Sequence, residues 1–232
     1  MSVVNPWAAG TFMGELRAKA QQELLTLGAR YEYPAGVHLV QEGSPGTDVY
    51  LLTPITPNMS ACAKVTLNSN NGCEGLLGLR SGGDLIGELA ALCAAPRSAT
   101  VTTMIPTAAY KFTSGTFVEF LDRHPDAITN VFKTISRRLS WANRRRLEIA
   151  GYNVDARLAR VILEIAEDHG RRTSHGMDVG VRLTQIEWGQ LIGAHPRAIN
   201  NGIKILHDLQ LIEYQRRSLT IVDLAGLRRY GA

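Results

Sequence analysis

From about Arg30 to Phe112 the apolar residues come in short runs, among them Val37-His38-Leu39-Val40, Val49-Tyr50-Leu51-Leu52 and Ala108-Ala109-Tyr110-Lys111-Phe112, cut by clusters of Gly, Pro, Asn and Ser. Runs of that length between turn formers predict many short strands packed into a barrel or sandwich. A short helix over Met13 to Leu27 is expected ahead of them. Thr53-Pro54-Ile55-Thr56-Pro57 places two prolines where a strand would turn back. Proline has no N–H to give to a ladder, so an irregular hairpin is expected there.

At Pro125 the period changes. Ile128, Phe132, Ile135, Leu139, Ala142, Arg146 and Ile149 follow one another at alternating spacings of four and three, a heptad seam broken only by Arg146. The flanks, including Arg137, Arg138, Arg144 and Arg145, are polar. So narrow a stripe predicts a helix that pairs with a second copy of itself. Packing on the chain's own strands is the competing reading, and both can hold in part. Gly151-Tyr152-Asn153-Val154 interrupts the helix and reads as a hinge, with Asp155 placed to cap the next helix, which runs to about Asp168.

Thr184-Gln185-Ile186-Glu187 has the form of a capping box, in which a threonine and a glutamate satisfy each other's backbone donors at a helix start. The helix runs through Leu191-Ile192, turns at Gly193, and a second begins at His195-Pro196, where proline suits the first helical turn. Ile186, Leu191, Ile199, Ile203 and Leu206 are the expected core between them. Helix, tight turn, helix is the form whose second member enters the major groove of DNA. Arg197, Asn200, Asn201 and Lys204 lie at spacings that present them together; the arginine suits guanine, the two asparagines adenine and the lysine phosphate. Thr184, Gln185 and His195, at the two helix starts, are further expected contacts. The competing reading is a helical hairpin with a solvated polar face. Downstream, Leu211 to Val222 reads as a hairpin with Arg216-Arg217 at its tip, a basic wing for backbone phosphates.

Composition sharpens this picture. A length of 232 residues suits two modest domains, and 45% hydrophobic with 20% charged residues suits a folded globular chain. Residues 1–122 carry 7 Lys and Arg against 10 Asp and Glu, residues 123–151 carry 7 against 2, and residues 152–232 carry 11 against 9. The basic middle and end are what a polyanion partner needs. No run of about 18 apolar residues occurs. The opening MSVVNPWAAGTFMGEL has neither the basic start nor the apolar run of a secretory signal, so a cytoplasmic location and no membrane partner are expected. Cys62, Cys73 and Cys93 make neither a CxxC pair nor a ligand quartet and read as reduced, mostly buried thiols, and no metal site is expected. No paired carboxylates or nucleophile-base set point to an enzyme.

The most informative segment is IGELAALCAAPRSATV, Ile86 to Val101. Gly87 lets backbone approach a ligand, Glu88 suits a ribose hydroxyl, and Arg97 offers a fork for phosphate oxygens. Backbone N–H groups around Leu89-Ala90 and Ser98-Ala99, with the Ser98 hydroxyl, complete a candidate anion cradle. On residue types alone, a surface ion pair between Glu88 and Arg97 explains the same pattern.

This segment resembles the phosphate-binding cassette of cyclic-nucleotide-binding domains, usually FGELAL, four residues, then PR, a small residue and AT. Ile86 and Ala91 replace the usual Phe and Leu, while Gly87, Glu88, Leu89, Pro96, Arg97, Ala99 and Thr100 match. RRL at Arg137, NVDARLARVILEIA at Asn153 and LTQIEWGQLIGAHPRAINNGIKIL at Leu183 extend the resemblance to the Crp/Fnr superfamily of regulators. It implies an α+β chain: a cyclic-nucleotide-binding β-roll over 1–124, a central dimerisation helix over 125–152 and a winged helix-turn-helix over 153–232. It further implies a homodimer on a two-fold symmetric double-stranded DNA site, with RNA polymerase as a further partner. The ribose would meet Glu88, the cyclic phosphate Arg97 and Ser98, and Arg138 would brace Glu88. The base would meet Ala142 and Asn143, where cyclic-AMP receptors usually carry Thr-Ser. Cyclic AMP is the expected effector, with cyclic GMP or no effector as alternatives. An iron-sulfur sensor needs N-terminal cysteines, and none precedes Cys62; a haem sensor needs an axial ligand, for which His38 and His124 are weak candidates.

Overall fold

The computed structural model describes residues 7–69 and 71–232; the first six residues, on which part of the reading of the N-terminus rests, lie outside them. Contacts divide the chain into two units, Met1–Leu139 and Ser140–Ala232.

The first unit runs α1 (Ala18–Leu27), β1 (Ala29–Tyr33), β2 (His38–Val40), β3 (Val49–Thr53), β4 (Cys62–Asn68), β5 (Glu74–Ser81), β6 (Leu85–Ile86), α2 (Glu88–Cys93), β7 (Thr100–Thr103), β8 (Thr107–Phe112) and α3 (Ser114–Arg123), and α4 (Pro125–Gly151) begins in it. The strands form two antiparallel four-stranded sheets, β1-β8-β3-β6 and β2-β7-β4-β5. Leu52, Ile86 and Ala109 of one sheet and Leu39, Ala63, Val65 and Val101 of the other form one buried cluster, so the roll closes on an apolar interior. A second cluster, including Phe12, Leu24, Phe112, Phe117, Phe120 and Val131, seats the helices.

The first helix is shorter than its apolar spacing predicts. The Thr11 hydroxyl donates to the Ala8 carbonyl and accepts from the Gly14 N–H, while the Met13 N–H donates to Gly83. These bonds hold turns where a helix would otherwise start. The proline-rich segment after β3 is not a hairpin: β3 and β4 lie in different sheets, and Pro54 ends one strand before the chain crosses to the other. Cys62 is buried, with its thiol pKa pushed up to about 12 by that burial, but Cys73 and Cys93 are exposed, contrary to the expectation of mostly buried thiols.

Along α4, Ala127 and Val131 are buried and Ile135 packs on the same core. Ile128, Phe132, Leu139 and Ile149 of the heptad seam stay exposed, Phe132 at 67% and Leu139 at 60%. One face of the helix therefore belongs to the roll, and the seam remains an uncovered apolar stripe.

The second unit contains the end of α4, then α5 (Val154–His169), β9 (Arg171–Thr173), β10 (Gly176–Asp178), α6 (Gln185–Ile192), α7 (Pro196–Asp208), β11 (Ile212–Gln215), β12 (Ser218–Ile221) and α8 (Leu224–Tyr230). Leu158, Ile162, Trp188, Leu191, Ile199, Ile203 and Leu206 are buried in it. Ile186 is exposed, contrary to expectation, and Trp188 two residues on takes the core position. Asp155 does not cap α5: Asn153 holds the cap position without a side-chain bond, and the Tyr230 hydroxyl donates to Asp155.

The capping box at α6 forms fully, Thr184 Oγ1 accepting from the Glu187 N–H at 3.2 Å and Glu187 Oε2 accepting from the Thr184 N–H at 2.9 Å. Thr184→Ala is expected to cost about 1 kcal/mol; urea denaturation followed by circular dichroism checks this, and an unchanged midpoint contradicts it.

Candidate functional site

The cassette is built where β6 meets α2. Gly87 joins them with φ of +81°. A Cβ there would lie 2.1 Å from Arg97 Nη1 and 2.8 Å from the Asp48 carbonyl oxygen, so only glycine fits. Arg97 is 5% exposed. Its Nη1 donates to the Gly87 carbonyl at 3.0 Å and its Nη2 to the Asp48 carbonyl at 2.6 Å. Its own backbone is pinned to Ser44 and Gly43. Burial lowers its pKa, with Tyr50, Asp48 and Glu88 opposing, yet a guanidinium stays charged. Two carbonyl bonds orient the group and leave three of the five N–H donors of an arginine for an anion. Ser98 is exposed beside it, Leu89 is exposed, and Ala90 is buried.

Glu88 is also 5% exposed, and its Oε1 accepts from Arg138 Nη1 at 2.6 Å. Arg138 Nη2 donates to the Leu85 carbonyl at 3.1 Å and lies 3.8 Å from Asp84. Glu88 and Arg97 therefore hold separate partners and are not a surface ion pair. The buried guanidinium with donors to spare, the glycine cradle and the second oxygen of Glu88 fit a cyclic phosphate joined to a ribose. Ala142 and Asn143 stand exposed on the part of α4 that belongs to the second unit.

The two histidines weighed as haem ligands are occupied: His38 Nδ1 bonds the Thr102 hydroxyl at 2.8 Å, and His124 Nε2 bonds Glu23 at 2.8 Å. Among the described residues no group of three or more His, Cys, Asp and Glu could hold a metal ion, and no helix is long and apolar enough to cross a membrane.

In the second unit Gly193 turns the chain in the left-handed region and His195 Nδ1 accepts from the Arg197 N–H at 3.3 Å, capping α7. Arg197, Asn200, Asn201 and Lys204 are all exposed on α7. Gln185 Nε2 donates to Asn200 Oδ1 at 3.1 Å, tying the start of α6 to that face. Arg157, unrecognised in the sequence, is buried and donates to the Ile192 carbonyl at 2.9 Å, bracing the turn between α6 and α7.

The wing tip is the exposed pair Arg216 and Arg217, both left-handed at φ of +48° and +70°, between the paired residues Gln215 and Ser218. That two-residue turn favours Asn-Gly, and arginine is strained in it. Replacing the pair by Asn-Gly is expected to raise stability by roughly 1–2 kcal/mol while weakening DNA binding and flattening its salt dependence by about two phosphate contacts. Denaturation and anisotropy at several salt concentrations check both; a variant that binds DNA as wild type contradicts the assignment.

A buried charge network spans the interruption between α4 and α5. Arg145 Nη1 lies 2.8 Å from Glu148 Oε2, and its Nη2 donates to Glu148 Oε1 at 3.0 Å and to Glu164 Oε1 at 2.9 Å. Arg160 Nε donates to Glu148 at 3.0 Å and Trp141 Nε1 to Glu164 at 2.7 Å. Arg145, read from the sequence as a solvated flank, is therefore buried, and Gly151 to Val154 is bridged by side chains on both sides.

A family model described as a cyclic nucleotide-binding domain matches residues 30–124, and one described as a Crp-like helix-turn-helix domain matches residues 156–230. A CRP-like cAMP-activated global transcriptional regulator of Mycobacterium tuberculosis is 25% identical over 198 residues, 85% of this chain and 86% of that protein. The cAMP-activated global transcriptional regulator CRP of Salmonella typhimurium is 22% identical over 192 residues, 82% and 88%. Among solved structures, FixK2 from Bradyrhizobium japonicum aligns with a TM-score of 0.73 at 13% identity, over 88% and 98% of the two chains. The c-di-GMP responsive regulator CLP of Xanthomonas campestris aligns with a TM-score of 0.71 at 17% identity, over 89% and 100%. The structural likenesses speak to the fold.

Proposed function

This chain belongs to the Crp/Fnr superfamily of DNA-binding transcription regulators, not enzymes, and carries a cyclic-nucleotide-binding domain; from that premise we propose that it is a cytoplasmic homodimer whose affinity for a two-fold symmetric DNA site is set by cyclic AMP. The observation that carries the reading is Arg97, nearly buried, aimed by two carbonyls and with N–H donors to spare, beside the equally buried Glu88. The names of the relatives, cAMP-activated in both cases, favour cyclic AMP. The amide of Asn143 suits either purine, so cyclic GMP is the alternative.

In this reading residues 1–124 bind the effector, 125–152 pair two copies and 153–232 read DNA. Arg97, Ser98 and the backbone of Gly87, Leu89 and Ala90 hold the cyclic phosphate; Glu88 accepts from the ribose hydroxyl; Ala142 and Asn143 meet the base. Arg138 joins Glu88 to α4 by a 2.6 Å charged bond, so a ligand that changes how Glu88 is bonded biases the helix. The exposed stripe of Phe132 and Leu139 is covered by the same stripe of a second copy. Two reading heads then place Arg197, Asn200, Asn201 and Lys204 in successive major grooves, with Thr184, Gln185, His195, Arg216 and Arg217 on the flanking backbone. RNA polymerase is the further partner of a regulator so bound.

Titration calorimetry with cyclic AMP and cyclic GMP, paired with analytical ultracentrifugation, tests the proposal. One nucleotide bound per chain of a dimer is expected. Heat from neither nucleotide overturns the effector half in favour of effector-independent DNA binding, and a monomer overturns the pairing of α4.

A further inference from the structure

Three parts of the second unit turn matched faces toward one another. Helix α5 brings Leu163, Ala166 and Glu167, spaced three and four residues apart and so on one side of the helix. Helix α8 brings Leu224 and Arg228, one turn apart. On the β9–β10 hairpin Arg172 stands directly opposite Met177, and opposed residues of an antiparallel pair project from the same face. Together they line a cavity of about 260 Å³. Gly170, between α5 and β9, lines it without adding a side chain, which leaves the space open.

The floor of this cavity is apolar and its rim is charged, with the two signs unequal. Ala166 is buried, and Leu163, Met177 and Leu224 are half-buried. At the rim Arg228 Nη2 lies 3.9 Å from Glu167 Oε1, a loose and exposed pair that holds neither group firmly. Arg172 is exposed, and among the described residues its guanidinium has no hydrogen bond or ion pair. Two guanidiniums against one carboxylate leave one positive charge in excess, on a side chain whose five N–H donors are unclaimed.

An apolar lining with a few convergent polar groups is the usual make-up of a small-molecule site. The ligand class follows from elimination. A cation is repelled by the two arginines. An inorganic anion satisfies them but leaves the apolar floor against water. A wholly apolar molecule covers the floor and withdraws Arg172 from water without a partner, which costs binding energy. A carboxylate on an apolar body meets both demands, because its two oxygens match the fork of a guanidinium. Size agrees: an apolar cavity of about 150 Å³ accepts benzene, so this one has room for a ring and a short acidic arm.

We infer that the cavity between α5, the β9–β10 hairpin and α8 is a second ligand site, taking a small apolar monocarboxylate whose carboxyl group is held by Arg172. The site lies wholly within the second unit, so the inference does not rest on the cyclic-nucleotide reading of the cassette.

Met177 supplies a local reporter. The other four methionines, Met1, Met13, Met59 and Met104, belong to the first unit. The full chain carrying ¹³C in its methionine methyl groups is titrated, by nuclear magnetic resonance, with 3-phenylpropionate and with its neutral analogue 3-phenylpropanamide. The Met177 methyl resonance is expected to move with a Kd of roughly 0.1–1 mM for the acid, as suits a ligand of that size. The amide is expected to bind about tenfold more weakly, since it lacks the charged bond. Arg172→Gln should lower affinity for the acid about tenfold and leave the amide unchanged, so that the preference disappears. Arg172→Lys keeps the charge without the fork and should fall between. Both changes are at an exposed position of a short strand, and a thermal melt matching wild type shows the fold intact. A Met177 resonance that stays still throughout overturns the inference, as does equal binding of acid and amide, or a wild-type preference in Arg172→Gln.

Discussion

Arg97→Gln is expected to weaken cyclic-nucleotide binding by about 3 kcal/mol, a factor of roughly 100. On the proposed function the phosphodiester loses a nearly buried countercharge, since Arg97 is 5% exposed and Glu88 beside it is negative. Stability should fall too, by about 1–2 kcal/mol, because the carbonyls of Gly87 and Asp48 lose their partners. The two effects separate by experiment: calorimetry reads the first and a thermal melt without ligand the second. Arg97→Lys keeps charge but not the fork that spans two carbonyls, so it should recover only part of the affinity. A glutamine variant that melts lower yet binds as tightly as wild type would reduce Arg97 to a structural strut.

The largest expected stability effect lies in the second unit. Arg145→Met leaves Glu148, 5% exposed, with Arg160 as its remaining cation, and strips Glu164 of an arginine bond. Breaking a buried ion network from one side costs about 3–5 kcal/mol, because the remaining charge stays desolvated. Arg160 is more exposed and its removal leaves Arg145 on Glu148, so Arg160→Met should cost clearly less. Urea denaturation of both variants decides; equal losses, or a loss under about 1 kcal/mol for Arg145→Met, contradict the description of a buried network. The same network bridges Gly151 to Val154, where an interrupted helical pattern suggests a hinge.

What the sequence made legible was whatever is specified locally. The capping box at Thr184, the left-handed Gly193 and the proline after His195 each satisfy backbone groups within a few residues, so the helix-turn-helix could be placed to within a residue. Gly87 reads in the sequence as a point of close backbone approach, and the structure makes it the junction of β6 and α2. Partners distant in sequence stayed hidden. Arg145 has the spacing of a solvated flank, and its bond to Glu164, brought in by α5, could not be read from that spacing. Asp155 has the chemistry of a cap, but Tyr230, far along the chain, claims it. The hairpin of β9 and β10 has too little apolar alternation to read as strands.

On the proposed function, nucleotide binding and DNA binding are one linked equilibrium. Fluorescence anisotropy of a labelled two-fold symmetric site, selected from random DNA by the protein with cyclic AMP present, tests it most directly when titrated with and without saturating cyclic AMP at fixed salt. Cyclic AMP is expected to tighten DNA binding by roughly tenfold or more; equal affinity in both titrations contradicts the linkage.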